Sequence, residues 1–205
     1  MIEAWQTETD GSESFRLFLC KGVGWIIVEF FHRLATLDDL EALHKVMARS
    51  IGQLQSSYLT PNQVAASHKV MGLDTQLVKD GTYFMIESGN RVAGCGGWSF
   101  RATLYGGDES VVVREPERLD PATDAAKIRA MYTDPDFTRR GIGTQIMQLC
   151  EHAARDAGFK RVELMATVAG IPLYLNQGYE SSDDEKFADI DGVKIPLLRM
   201  EKRLM

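Results

Sequence analysis

The stretch that most constrains this chain is Pro135-Asp136-Phe137-Thr138-Arg139-Arg140-Gly141-Ile142-Gly143-Thr144. It follows a strand-like run and opens a strongly patterned helix. Glycines let the backbone bend so that consecutive N–H groups point at one spot, and a helix N-terminus adds partial positive charge there. With flanking arginines, the turn is an anion cradle, and phosphate or pyrophosphate is its guest. A nucleoside-triphosphatase loop is unsupported because no GxxxxGK[ST] is present, and no complete GxGxxG follows the strand.

Bulk properties bound the answer. A chain of 205 residues suits one domain or a domain with extensions, and 44% hydrophobic with 25% charged residues is near the globular average. A net charge of −6 argues against a nucleic-acid binder, which normally carries a basic face, and leans toward cationic substrates. Cys20, Cys95 and Cys150 are an odd count without CxxC spacing, which fits free thiols in a reducing cytoplasm. Buried packing is their expected role, with a catalytic cysteine as the alternative. Glu3 and Glu8 stand where a secretory signal would be basic and then apolar. The apolar patch from Trp25 to Phe31 is broken by Glu29 and is too short to span a bilayer, so no membrane association is expected.

Along the chain, residues 1–24 are polar and poorly patterned and read as a partly mobile extension. Residues 25–205 read as one domain. Trp25 to Arg33 is β-branched and aromatic, hence a strand. Thr36 with Asp39 starts a helix carrying Leu40, Leu43, Met47 and Ile51. Thr60-Pro61-Asn62-Gln63 is a capping box with proline at the first helical position. Tyr83 to Glu87 and Arg91 to Phe100 make a hairpin around Ser88-Gly89-Asn90. Gly94, Gly96 and Gly97 in its second strand point to a bulge or a close backbone approach. Residues 101–124 form a long polar connection, with a short strand at Val111 to Val113. Ala125 to Thr133 is a strand, and Gly141 to Ala157 is an amphipathic helix ended by Gly158. A strand over Arg161 to Thr167, a helical turn at Leu173 to Gln177 and a last strand over Lys194 to Arg203 complete the chain.

This order of elements, with Arg140-Gly141-Ile142-Gly143, Leu173-Tyr174-Leu175-Asn176-Gln177-Gly178-Tyr179 and Arg33 to Asp39, resembles the GNAT superfamily, the Gcn5-related N-acetyltransferases. The resemblance runs from about residue 28 to the C-terminus. The family motif is Gln or Arg, two residues, Gly, one residue, then Gly or Ala. Thr138 stands at its first position here, and Thr167 stands where the family often has Asn. The resemblance implies an α/β (α+β) fold: a mixed, mostly antiparallel sheet of six to seven strands flanked by helices, opening as a V between two central strands.

It also implies the chemistry. The amides and side chains of Arg139, Arg140, Gly141, Ile142, Gly143 and Thr144 would hold the pyrophosphate of acetyl-CoA. Met131, Tyr132 and Thr133 would frame the acyl arm, with an amide of that stretch polarising the thioester carbonyl. Tyr174, four residues before Gly178, would hand a proton to the leaving thiolate. For Met131 and Tyr132 the alternative is a plain strand role, and for Tyr174 packing against the pantetheine arm.

The general base is open among Glu87, Glu163, Glu180, His32, His44, His68, His152 and a relayed water. Tyr58, Trp98 and Phe100 are candidates for the acceptor pocket, with core packing as the alternative. No His/Cys/Asp/Glu cluster has metal spacing, so no metal is expected. The expected activity is acetyl or short-acyl transfer from CoA to a primary amine. A small-molecule acceptor leads, since the 101–124 connection can lid one. A protein N-terminus or lysine comes second, and an acyl-CoA-binding module without turnover third. A homodimer fits the family, without a dedicated interface in the sequence.

Overall fold

The computed structural model describes residues 2–4, 14–21, 24–110 and 115–205. The chain begins with strands β1 (Ile2–Ala4), β2 (Ser14–Lys21) and β3 (Gly24–Leu34). Helices α1 (Leu40–Leu54), α2 (Pro61–Val70) and α3 (Thr75–Lys79) follow, then the hairpin β4 (Tyr83–Ser88) and β5 (Arg91–Ser99). After a long connection come β6 (Ala126–Thr133), α4 (Ile142–Asp156), β7 (Arg161–Thr167), α5 (Ile171–Asn176), β8 (Glu180–Ile190) and β9 (Val193–Arg203).

The strands form one sheet in the order β1-β2-β3-β4-β5-β6-β7-β9-β8. Every neighbouring pair is antiparallel except β6 and β7. The architecture is therefore the mixed, mostly antiparallel sheet expected, with nine strands rather than six or seven. The additions are β1 and β2, which continue the sheet beyond β3, and β8. The sequence of β8, ESSDDEKFADI, hides it, because its polar run lacks apolar alternation. Its cue was the Asp191-Gly192 turn, where both residues have positive φ (52° and 82°) and Ile190 faces Val193. The strand expected at Val111 to Val113 lies outside the described residues.

The two faces of the sheet are covered by different helices, as the period of two along β4 requires. Tyr83 and Met85 join Leu43 and Met47 of α1 in one core, while Ile86 joins Ile146 and Met147 of α4 in the other. α2 begins at the capping box expected, with Gln63 accepting from Thr60 N–H at 3.0 Å, whereas the Thr36 box, with Asp39 accepting from Thr36 N–H at 2.8 Å, opens a 3-10 turn, Leu37–Asp39, that leads into α1. The glycines of β5 mark a close approach. A Cβ on Gly94 would sit 2.6 Å from Ile142 Cγ2, and one on Gly97 would sit 2.7 Å from Thr82 O. The helix therefore lies directly on the strand backbone, which sets the position of its N-terminus.

The described parts of the 101–124 connection are anchored to the rest of the chain and form a strap. Arg101 binds Asp80 through two bonds of 2.7 and 2.8 Å, and Thr103 exchanges backbone and side-chain bonds with Glu115. Its tip is tied to the α2–α3 corner by Asp108 N–H to Leu73 O at 2.8 Å and Thr75 N–H to Asp108 at 3.0 Å.

Candidate active site

A gap opens in the middle of the sheet. The parallel pair β6 and β7 is registered only at Ala126–Val162 and Lys127–Glu163, beyond which the strands part. Glu163, buried at the apex, accepts from both Lys127 and Arg199. Burial pushes its carboxyl up, but the two cations outweigh that and hold it below the usual range.

A bulge in β6 lies on the gap's edge. Gly97 faces Arg129 and Cys95 faces Tyr132, so Ala130 and Met131 together oppose the single residue Gly96. Ala130 takes φ 51°, in the left-handed region that alanine rarely adopts. The extra residue reverses the facing of the strand beyond it. Ala126 and Ile128 point into the α4 core, whereas Ala130 and Tyr132 pack in the α1 core. The phenol of Tyr83 donates to Ala130 O at 2.7 Å across the bulge.

The anion cradle is built on the far side of β6. Asp134 caps a short 3-10 turn, Pro135–Phe137, by accepting from Asp136 N–H at 2.9 Å. Arg139 (φ 59°) and Gly141 (φ 78°) then turn the chain into α4. The first intrahelical bond there is Gln145 N–H to Gly141 O at 2.9 Å, so the N–H groups of Ile142, Gly143 and Thr144 precede any acceptor in their own helix. Below the turn, Asp134 and Asp136 are held by Arg49 and Arg91, including Arg49 to Asp134 at 3.0 Å and Arg91 to Asp136 at 2.6 Å. Phe137 is buried between two guanidinium groups, Arg91 at 4.8 Å and Arg140 at 5.3 Å from its ring centre.

Tyr174 projects from α5, a short helix begun by Gly170 and Ile171-Pro172. Its ring packs so closely on Gly170 that a Cβ there would sit 2.7 Å from Cε2. Burial, with a smaller contribution from Cys150, pushes the phenol up to about 12.

A cleft of about 730 Å³ joins these parts, lined by the cradle, the bulged end of β6, α5, the end of α1, the end of α2 and the tip of the 101–124 connection. Met131, Tyr132, Thr133, Arg139, Gly141, Ile142, Gly143, Thr144 and Tyr174 all line it. Arg140 does not; its guanidinium is drawn to Phe137 instead. Tyr132 lines the cleft, but its hydroxyl is already engaged, accepting from Gly72 N–H at 2.9 Å, and burial raises its pKa. Tyr58 lines the cleft. Trp98 and Phe100 do not, and form an edge-to-face pair in the core.

None of the carboxylates or histidines considered as a general base lines the cleft. Glu87 binds Arg33, Glu163 is locked at the sheet apex, and His152 is exposed beside Asp156. Sequence reasoning also missed Leu104, Tyr105 and Gly106, which reach the cleft only because the strap is pinned to the α2–α3 corner. No sequence period marks them.

The chain belongs to the Acetyltransferase (GNAT) family, whose model matches residues 49–179. No curated protein sequence matches it. Among solved structures, it resembles a GCN5-related N-acetyltransferase from Rhodopseudomonas palustris (17% identity, 84% of this chain and 94% of that one, TM-score 0.62). PaiA N-acetyltransferase from Thermoplasma acidophilum, in complex with coenzyme A, is similar at 14% identity over 85% and 98% of the chains, TM-score 0.55. The ribosomal-protein-S18-alanine N-acetyltransferase from Escherichia coli is similar at 13% identity over 85% and 94%, TM-score 0.52. At these identities the likeness concerns the fold. Among the described residues no helix is long and apolar enough to cross a membrane.

Proposed function

We propose that the protein transfers an acetyl group from acetyl-CoA to the primary amine of a small molecule, by direct attack of the amine on the thioester. The observation that carries this reading is the single cleft that joins a helix-N-terminal anion cradle to a gap in the sheet. At one end, the N–H groups of Ile142, Gly143 and Thr144, with Arg139, suit a pyrophosphate. At the gap, the bulged stretch Met131 to Thr133 offers backbone amides to a thioester oxygen. Tyr174 stands on the opposite wall, where its hydroxyl can donate to the departing sulfur.

Two features support a small acceptor over a polypeptide. First, α2 packs against the β8–β9 hairpin through Ala66, Val70, Ile195 and Leu197, and Gln63 donates to Lys194 O at 2.8 Å. On this reading, that contact covers one approach to the acceptor space. Second, the strap lines the cleft at Leu104 to Gly106. Cys95 and Cys150 are free and buried, which fits a reducing cytoplasm.

Calorimetric titration with acetyl-CoA, with acetyl phosphate as control, tests the cradle. Micromolar binding of the first alone is expected, and no binding at millimolar ligand would overturn the reading. One observation favours another reading, a binding module without turnover: among the described residues no carboxylate or imidazole lines the cleft. Amine-dependent release of CoA, followed with a thiol reagent, separates the two.

A further inference from the structure

From α1, the α1–α2 and α2–α3 corners, the 101–124 connection and β9 the cleft takes Leu54, Tyr58, Met71, Leu104, Tyr105 and Leu197. The ionisable residues lining the whole cleft are four tyrosines (Tyr58, Tyr105, Tyr132 and Tyr174) and two arginines, with no carboxylate among the described residues. Arg139 belongs to the cradle. Arg129 is 6% exposed, binds Asp74 at 2.6 Å and donates to Gly106 O. Asp74 is itself fully buried, and it caps α3 by accepting from Gln76 N–H at 3.0 Å. This ion pair holds the strap at Gly106, and Asp74 does not line the cleft.

The whole-chain charge of −6 leans toward cationic substrates, but the cleft does not. A polyamine or aminoglycoside would carry further ammonium groups into a space whose described lining has no counter-charge, and burying an unpaired charge is costly. An apolar body meets the opposite situation, since each buried methylene is favourable.

We infer that the acceptor is a primary monoamine carried on an uncharged apolar body, alkyl or aryl, seated between α1, α2 and the Leu104-Tyr105 strap. The inference rests on the acetyltransferase reading and narrows it. Leu104 and Tyr105 are then specificity-determining residues. They contact the body of the acceptor rather than the reacting atoms.

The test is steady-state kinetics on the full chain with acetyl-CoA and a panel of amines: butylamine to octylamine, phenethylamine, spermidine, kanamycin and an N-terminal alanyl peptide. Selectivity, kcat/KM, is expected to rise about fourfold per methylene until the pocket is filled. Spermidine and kanamycin should fall roughly a hundredfold or more below octylamine. Tyr105→Asp should lower octylamine turnover and raise that of spermidine, with a thermal melt to show that the variant is folded. If it is not folded, the wild-type series decides alone.

A flat alkylamine series, or preference for spermidine, kanamycin or the peptide, would overturn the inference and leave the acetyltransferase reading standing. So would a preference for octanoyl-CoA over acetyl-CoA, which would assign the apolar end to the acyl chain. Acetyl-CoA binding without turnover of any amine overturns the inference and favours the binding module. Absence of acetyl-CoA binding overturns the parent reading as well.

Discussion

The phenol of Tyr83 on β4 donates to the carbonyl of Ala130 on β6 at 2.7 Å, spanning β5 to reach the bulge that edges the gap in the sheet. Tyr83 is fully buried, and desolvation together with Cys95 raises its pKa, so it stays a donor at any working pH. This bond partly offsets the cost of Ala130's left-handed φ of 51°. Tyr83→Phe removes the donor and keeps the packing. The expected loss is about 1–2 kcal/mol of stability, or a melting temperature lower by roughly 2–8 °C for a chain of this size. If the bulge also aims the amides of Met131 to Thr133 at a thioester, as the proposed function has it, kcat should fall roughly tenfold to a hundredfold while KM for acetyl-CoA is unchanged. A variant with lowered melting temperature and wild-type kcat would show that the bulge is held without Tyr83.

Tyr174 gives the next prediction. Tyr174 lines the cleft, and burial pushing its phenol up to about 12 keeps it protonated well above neutral pH. A proton held that tightly is not readily surrendered to a thiolate of pKa about 8.5. On the acetyltransferase reading, the hydroxyl is then expected to serve as a hydrogen-bond donor to sulfur more than as a full proton source. Tyr174→Phe should cost on the order of tenfold in kcat, at the lower end of the acid–base range, with acetyl-CoA affinity retained by calorimetry. Unchanged kcat would reduce Tyr174 to a packing residue.

The relation of sequence to site differs from element to element. The cradle was legible because its determinants are local: Gly141 needs a positive φ and Ile142 to Thr144 open a helix, all within one turn. The hairpin, α4 and both capping boxes were legible for the same reason. The strand β8 was hidden by its polar composition, although Asp191-Gly192 announced its turn. Arg140 was drawn to the cradle by its position in the motif, but whether it meets a phosphate or a ring depends on Phe137, which only the fold brings beneath it. The acceptor wall was least legible. Leu104 and Tyr105 lie in a long connection, and their place in the cleft is set by contacts distant in sequence, Asp108 to Thr75 and Arg129 to Gly106.

Two glycines of the cradle should fail in different ways. Gly141 has φ 78° with open space around a would-be Cβ, so Gly141→Ala costs conformation alone, about 1–2 kcal/mol. It should disturb the helix entrance and raise the Kd for acetyl-CoA. Gly143 has an ordinary φ, but its Cβ would sit 2.8 Å from Leu173 Cδ2. Leu173 immediately precedes Tyr174 on α5, so Gly143→Ala displaces α5 rather than the turn. Its effect should fall more on kcat, and Leu173→Ala in the same chain should recover part of the loss by vacating the space. Equal effects of both substitutions on Kd and kcat would contradict this division of roles.

Burial of tyrosines and thiols makes the last prediction, one of pH. Desolvation raises Tyr174 and Cys95 to about 12, and raises Tyr83, Tyr132, Tyr179 and Cys150 as well. In the unfolded chain the thiols lose their protons near pH 9 and the phenols near 10, while the folded chain still holds them. From about pH 9 upward the unfolded state therefore binds fewer protons, and stability falls as pH rises. The contribution is fully present below that point and is lost progressively toward pH 12, with each group adding a slope of roughly 1.4 kcal/mol per pH unit inside its window. Urea midpoints measured at successive pH values from about 8 to 11 should decline, steepening once the phenols join. Cys95→Ala removes one thiol from the balance and should shallow the decline at its lower end. A midpoint that stays level across this range would mean that water reaches these groups in the folded chain.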